Sequence, residues 1–416
     1  MGESVLSQPG PAAGDRRRAG LFVALTDGNV YPVPMRRRTG TWTLALAASL
    51  TVAAAAQNKP PAGDTLTNDG FRVEYIRLLK EYIGGDADRA VADLTKLPPT
   101  ATHRLEARKG NRWGTGKSTP SGGFSLTPQA SRGQPADFSE LQMSLAAVMI
   151  ETEAAFLSNR GDVLTDRLAN ADLWLKEVGQ LFERAKWDGF RRRWALAVGR
   201  KVLWLAVLGP ADQILLEACE LFGDDASLHV AYGHARETTA FAAGASTPLD
   251  RSVASFARRK ALSDARTALE RAIKLDSESI QSIEARVRLA HVYILVGEDR
   301  RAAPLLEQAL SHDAAPPYKY LSAMMLGDIE TRGGRLDRAI VRYLDARQVT
   351  PGAQNSFIAH AHALRAAGQH DEAAKVLNEM LGRAHRVDDP WVQYPKGFDP
   401  EATKLEPLRA LVRGMK

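Results

Sequence analysis

The chain has 416 residues, 44% hydrophobic, 25% charged and 7% aromatic, the ordinary balance of a globular protein. Its formal net charge is +6, but residues 1–56 hold six arginines and three acidic residues, so removing them halves the excess. A charge that small excludes nucleic acid as the expected partner. The single cysteine, Cys219, excludes an internal disulfide and a four-cysteine metal site. It lies in an apolar helical pattern, which predicts a buried thiol.

Residues 35–56 have the three parts of a secretory signal peptide. Three arginines follow Met35, an apolar core runs over 42–52, and Ala54-Ala55-Ala56 form the small-residue cleavage site before Gln57. The core is shorter than the roughly 20 residues of a membrane-spanning helix, which favours a cleaved signal over a retained anchor. We therefore expect a secreted or periplasmic protein with no stable membrane insertion after cleavage. Met35 is then the expected start, and residues 1–34 an upstream extension.

The next part of the chain predicts two helices and a linker. After a polar linker over 57–69, residues 70–97 have apolar positions at three- and four-residue spacing on both sides of a Gly-Gly pair. This spacing predicts a leading helical hairpin. Residues 98–135 are rich in Gly, Ser, Thr, Pro, Arg and Lys, as is typical of a disordered, low-complexity linker. From Ala136 onward the pattern is helical, and no convincing alternating strand is found, so the sequence predicts an all-α fold.

The linker contains "GNRWGTGKS" over 110–118, which invites comparison with a phosphate-binding loop. Such a loop needs a glycine separated by four residues from Gly-Lys-Ser, a strand before it and a helix after it. Asn111 stands at the glycine position, no apolar strand precedes the stretch, and Pro120 with two glycines follows it. We therefore expect no bound nucleotide and no other cofactor.

Three segments within 284–386 share one spacing of small and large apolar residues, the strongest pattern in the sequence. Their second helices open at Ala302, Ala339 and Ala373, so the repeat recurs after 37 and then 34 residues. The matching positions are Leu289, Ala290, Tyr293, Gly297, Ala302, Leu306 and Ala309, then Leu326, Gly327, Gly334, Ala339, Tyr343, Ala346 and Pro351, then Ala361, Leu364, Gly368, Ala373, Leu377 and Met380.

This pattern resembles the tetratricopeptide repeat, a 34-residue helix-turn-helix unit in which small residues let two helices approach and large ones fill the gap to the next pair. Residues 136–283 carry weaker copies of it. One has Ala265, Leu269 and Ala272 in its second helix, and another has Ala211, Leu215 and Ala218. The resemblance implies a right-handed superhelical array of antiparallel helix pairs.

The tail over 387–416 follows the array. Its Asp-Pro-Trp run resembles the tails of secreted bacterial repeat proteins. The stretch "EPLRALVRGM" predicts a helix that caps the array by covering its last apolar face.

In tetratricopeptide proteins, the first helix of each pair lines a concave groove that holds a peptide or protein segment. The resemblance therefore implies a polypeptide partner. The Lys, Asn and Arg arrangement with which some relatives clamp a C-terminal carboxylate is not visible here. Each candidate also has a simpler interpretation as a solvated polar position. By register, the groove candidates are Glu284, His291, Ile294, Met324, Asp328, Arg332, Asn355, His362 and Arg365.

No catalytic or metal-binding pattern stands out. His360 and His362 project about 200° apart on one helix, so they cannot both bind one ion. No zinc-protease, nucleophile-elbow or paired-carboxylate arrangement is found. The sequence predicts an exported, non-enzymatic scaffold that binds another polypeptide. An alternative stays open, in which the repeats frame an enzyme or carbohydrate site with a deep pocket of acids or aromatics, including Trp174, Trp187, Trp194 or Trp204.

Overall fold

In the computed structural model, the described residues belong to one unit, Thr65–Lys416. The signal segment, the GNRWGTGKS stretch and the rest of the predicted linker lie outside these residues. The structure describes residues 68–97, 138–158, 161–181, 184–244, 251–311, 314–382, 389–398 and 403–415.

These residues form sixteen helices, and the described part of the chain contains no strand. Fourteen of the helices pack as seven consecutive pairs, and two short helices follow them. The pairs are α1 Asn68–Gly84 with α2 Ala87–Lys96, α3 Phe138–Leu157 with α4 Gly161–Leu181, α5 Arg184–Trp204 with α6 Leu208–Leu221, α7 Ala226–Gly244 with α8 Arg251–Leu275, α9 Ile280–Val296 with α10 Asp299–Ser311, α11 Pro316–Arg332 with α12 Leu336–Val349, and α13 Gln354–Ala366 with α14 His370–Gly382; α15 is Pro390–Gln393 and α16 is Glu406–Arg413.

Each pair packs on the next along the chain. The second helix of a pair contacts the first helix of the following pair, and the first helices α5, α7, α9, α11 and α13 also contact one another in sequence. This arrangement confirms the predicted all-α array of helix pairs. It follows from the repeat, because no single pair can bury both of its apolar faces alone.

Small residues in first helices let large side chains of second helices approach closely. A Cβ atom at Gly327 would lie 2.5 Å from a ring carbon of Tyr343, and one at Gly199 would lie 2.6 Å from Leu215. The turn within the α9–α10 pair uses Gly297 in the left-handed region, at φ +83°. A left-handed glycine ends a helix without a Cβ clash and starts the reversal.

The interior consists mainly of two apolar clusters, one beneath α1–α6 and one beneath α7–α13. Trp174, Trp187 and Trp194 are buried in the first cluster. Cys219 is buried there too, which confirms the predicted buried thiol, and burial raises the pKa of this thiol to about 12. No described helix combines the length and the apolar character needed to cross a bilayer.

The C-terminal helix α16 covers an apolar face, but at the opposite end of the array from the predicted one. It contacts α1, α3 and α5, where Leu408 and Val412 are buried. The Nε2 atom of Gln142 donates to the carbonyl oxygen of Val412 over 2.9 Å, and Arg409 Nε donates to Glu153 Oε1 over 2.7 Å. The tail therefore runs from the last repeat back to the first helices.

Candidate functional site

The C-terminal segment Asp389–Phe398 lies against the first helices of four successive pairs. These helices, α7, α9, α11 and α13, include the ones that the resemblance assigns to the groove. We call this side of the array the first-helix face. The segment contacts His234 and Glu237 of α7, Arg288 and His291 of α9, Tyr318 and Tyr320 of α11, and Asn355 of α13.

Asp389 anchors the start of the segment. Its Oδ1 atom accepts a hydrogen bond from the Tyr320 hydroxyl at 3.0 Å and from the Trp391 backbone at 2.9 Å. Its Oδ2 atom accepts from the backbone nitrogen and from Nδ2 of Asn355, at 2.8 and 3.0 Å. The same carboxylate caps the start of α15. These donors compensate for the burial of a charged side chain that is 8% exposed.

Tyr394 anchors the middle of the segment over a buried charge cluster. Its hydroxyl donates to Oε1 of Glu237, and its ring lies 4.8 Å from the guanidinium carbon of Arg288. The His291 ring meets the Tyr394 ring edge-on at 5.3 Å. Arg288 is 1% exposed and donates to Glu237 at 2.9 Å and to Glu284 at 2.8 Å. Its Nη2 atom has no hydrogen-bond partner among the described residues.

The cluster keeps its carboxylates ionised. Burial raises the pKa of Glu237, but the hydrogen bond from His291 and the charge of Arg288 outweigh it, so the pKa falls to about 2. Glu284 behaves alike, because Arg288 and Arg200 overcome its burial and its pKa is also about 2. The first-helix face therefore offers a fixed array of charges and donors at neutral pH.

A turn after Tyr394 brings backbone atoms to α7. The Nε2 atom of His234 lies 2.9 Å from the carbonyl oxygen of Pro395. Burial, followed by the nearby charge of Arg288, lowers the pKa of His234 to about 4, so the ring is neutral and Nε2 donates. Gly397 adopts φ +92°, and a Cβ atom there would lie 3.4 Å from the His234 ring.

Three of the nine candidate residues belong to this site. Asn355 and His291 contact the C-terminal segment directly, and Glu284 contacts it through Arg288. Ile294 is partly buried against the apolar cluster beneath α7–α13. Met324 is buried within that cluster, to which Tyr394 also belongs, so its side chain does not line an open groove.

The other four candidates lie apart from the segment. Asp328 and Arg332 pair with each other, and Arg332 Nη2 also lies 2.9 Å from Asp299 at the start of α10. These contacts connect neighbouring repeats. His362 and Arg365 are exposed on α13.

Five residues of the site were missed by the sequence analysis. They are His234 and Glu237 in a degenerate repeat, Arg288 in the first clear repeat, and Tyr318 and Tyr320 near the start of α11. Arg288 offered a signal, because it is a charged residue between apolar positions of "ARVRLAHVY". A charge at a position that the repeat buries indicates a partner, here Glu237 and Glu284.

The alternative hypothesis, an enzyme or carbohydrate site, predicted a deep pocket lined by acids or by aromatics such as these tryptophans. Three of the four tryptophans lie in the core instead, and Trp204 is partly buried. A small cleft beside Trp194 is lined by Asp172, Arg191 and Glu217. Asp172 there pairs with Lys176 at 2.6 Å. Among the described residues, no group of three or more His, Cys, Asp or Glu could hold a metal ion.

No protein-family model matches the sequence, and no protein of curated function matches it significantly. A crystal structure of MamA aligns with 46% of this chain and 91% of its own length, at 18% identity and a TM-score of 0.35. YrrB, described as a TPR protein with an unusual peptide-binding site, aligns with 45% of this chain and 83% of its own, at 14% identity and a TM-score of 0.32. Scores this low carry no argument about function. The packing of helix pairs itself shows an all-α array of consecutive helix pairs.

Proposed function

We propose that this protein is an exported, non-enzymatic scaffold that binds a short segment of another polypeptide on its first-helix face. The observation that carries the proposal is the C-terminal segment, which lies on that face. Asn355 and Tyr320 donate hydrogen bonds to its aspartate carboxylate. Glu237 and Arg288 contact its tyrosine, and His234 donates to one of its backbone carbonyls. A surface that holds one polypeptide segment in this way has the groups needed to hold another.

The chemistry of the face favours binding over catalysis. Its buried carboxylates already share Arg288, His291 and the tyrosine hydroxyl, so they are committed to ion pairs and hydrogen bonds. A general base needs a pKa near the working pH, whereas that of Glu237 is about 2. This arrangement supports a rigid recognition surface.

Export is part of the proposal and depends on the segment 35–56. Expression of the chain from Met35 in a bacterium should yield a mature protein that begins near Gln57 in the periplasm or the medium. N-terminal sequencing checks this expectation. A cytoplasmic product that retains residues 35–56 would contradict export.

Site-specific photo-crosslinking in the native cell tests the binding face. A photoreactive residue at His362 or Arg365, both exposed on the first helix α13, should capture a polypeptide. The same residue at Val341 on α12 or Lys375 on α14, exposed on second helices, is the matched control and should capture none. Equal capture from both pairs of positions, or no capture from α13, would contradict the proposal.

A further inference from the structure

Two side chains of the C-terminal segment make its buried hydrogen bonds with the first-helix face. Asp389 is 8% exposed and Tyr394 is 7% exposed, and each is held by groups from first helices. Val392, between them, is 43% exposed. The face therefore recognises a carboxylate and a tyrosine five residues later, and it leaves Val392 free to vary, whereas Pro390 is buried and Trp391 packs against the apolar cluster.

These two contacts are costly to leave unmade. Without the segment, the Tyr320 hydroxyl and the Asn355 amide lose the Asp389 acceptor, Glu237 loses one of its donors, and water must replace these contacts. A second polypeptide with the same two groups would restore every one of these hydrogen bonds. The segment also leaves Arg288 Nη2 without an acceptor among the described residues, so an incoming ligand with a further acceptor would fit better.

The segment competes because it belongs to the same chain. An intramolecular ligand acts like a free ligand at a concentration on the order of 1 mM. A partner that binds the same groups must displace it, so the segment weakens the apparent affinity for every such partner. Weakening the segment without altering the face should therefore strengthen binding in trans.

We propose that the C-terminal segment is a built-in competitor, and that the partner is a polypeptide bearing a carboxylate followed five residues later by a tyrosine, which displaces Asp389–Phe398 from the first-helix face. This inference rests on the proposed function and deepens it. It names the chemistry of the partner and the element that regulates its access.

A labelled peptide of the sequence DDPWVQYPKGF, residues 388–398, is the probe, and its binding to the full chain is measured by fluorescence anisotropy. The double variant Asp389→Ala/Tyr394→Ala loses both anchors of the segment and keeps the face. It should bind the probe at least about tenfold more tightly than the wild type. Val392→Ala, at the exposed position between the anchors, is the matched control and should bind like the wild type.

One milder variant and two altered probe peptides test the same contacts separately. Tyr394→Phe keeps the ring and removes only the hydroxyl, so it should give an intermediate gain even if the double variant folds poorly. Probe peptides with alanine in place of the aspartate (the Asp389 position) or of the tyrosine should bind the double variant at least about tenfold more weakly than the unaltered probe.

Equal affinity of the wild type and the anchor variants would overturn the inference, as would equal binding of the alanine peptides. Dimers of the wild type that Tyr394→Phe abolishes, seen by light scattering, would show a second copy of the chain as occupant and would also overturn it. If no probe binds while His362 and Arg365 still crosslink a polypeptide in cells, this inference fails and the proposed function stands. If neither the probe binding nor the crosslinking in cells is observed, both this inference and the proposed function are wrong.

Discussion

Arg288 sets the charge balance at the centre of the first-helix face. It is 1% exposed, and it lies between Glu237 and Glu284 with the Tyr394 ring beside it. Burial disfavours its charge, but the two carboxylates raise its pKa above its ordinary value. Removing one member of such a cluster leaves buried charge uncompensated.

Arg288→Met should lower the free energy of unfolding by about 3–5 kcal/mol, because it removes the buried cation that two buried carboxylates share. Chemical denaturation measures this change. Adding Glu237→Gln and Glu284→Gln to Arg288→Met should restore most of the lost stability, since the charges and the cation are then removed together. A loss below about 1 kcal/mol for Arg288→Met alone would contradict the buried cluster.

His234 should make the protein sensitive to mild acid. Its pKa is about 4 in the folded chain against an ordinary value of 6.5, so the unfolded chain takes up the proton first. The stability that comes from the neutral ring is therefore present above pH 6.5 and is lost as the pH falls from 6.5 to about 4. The full loss is about 3 kcal/mol.

His234→Gln should flatten this slope in thermal unfolding curves recorded between pH 4 and 7. Part of the slope should remain, because burial and the charge of Arg347 lower the pKa of His360 to about 4 as well. His362→Gln, at an exposed position, is the control and should keep the wild-type slope. An unchanged slope in His234→Gln would show that the ring is not buried against Pro395.

At the scale of helices, close approach within three of the pairs depends on glycine, which has no side chain. Gly199, Gly233 and Gly327 lie on first helices where a large side chain of the second helix fills the space of a Cβ atom. These glycines let the two helices of a pair pack closely, and the packed pairs position the first-helix face. The C-terminal segment has its own requirement, since Gly397 adopts a left-handed conformation.

Gly327→Ala should lower the free energy of unfolding by about 1–3 kcal/mol, because the new methyl group would lie 2.5 Å from the Tyr343 ring. Gly382→Ala is the matched control, since nothing lies within 4 Å of the corresponding atom. Denaturant titration of both variants makes the comparison. Equal stability of the two would contradict the packing of α11 on α12.

Gly397→Ala should loosen the C-terminal segment and leave the array folded. A left-handed alanine costs about 1–2 kcal/mol, which corresponds to roughly tenfold faster hydrogen exchange in this segment. Hydrogen exchange with mass spectrometry reports the segment and the helices separately. Faster exchange across α9 and α12 as well would contradict a local effect.

For the whole molecule, the array could be predicted and the occupied face could not. Periodic alanines and leucines such as Ala302, Leu306 and Ala339 specify helix pairs locally, because each spacing is a packing requirement within one repeat. The contacts of Asp389 with Asn355 and of Tyr394 with Glu237 join distant parts of the chain and leave no periodic pattern. Register therefore identified Asn355 and His291, but it could not show that the chain's own tail meets them.

The most direct measurement locates the C-terminal segment in solution. With p-benzoylphenylalanine in place of Phe398, whose ring lies 5.5 Å from that of Tyr318, illumination should crosslink position 398 within the same chain to α11. Tandem mass spectrometry of the digested monomer identifies the joined peptides. A crosslink to the Tyr318 peptide is the predicted result. Crosslinks to the second helices α10 and α12, or none within the chain, would contradict a first-helix face occupied by the C-terminal segment.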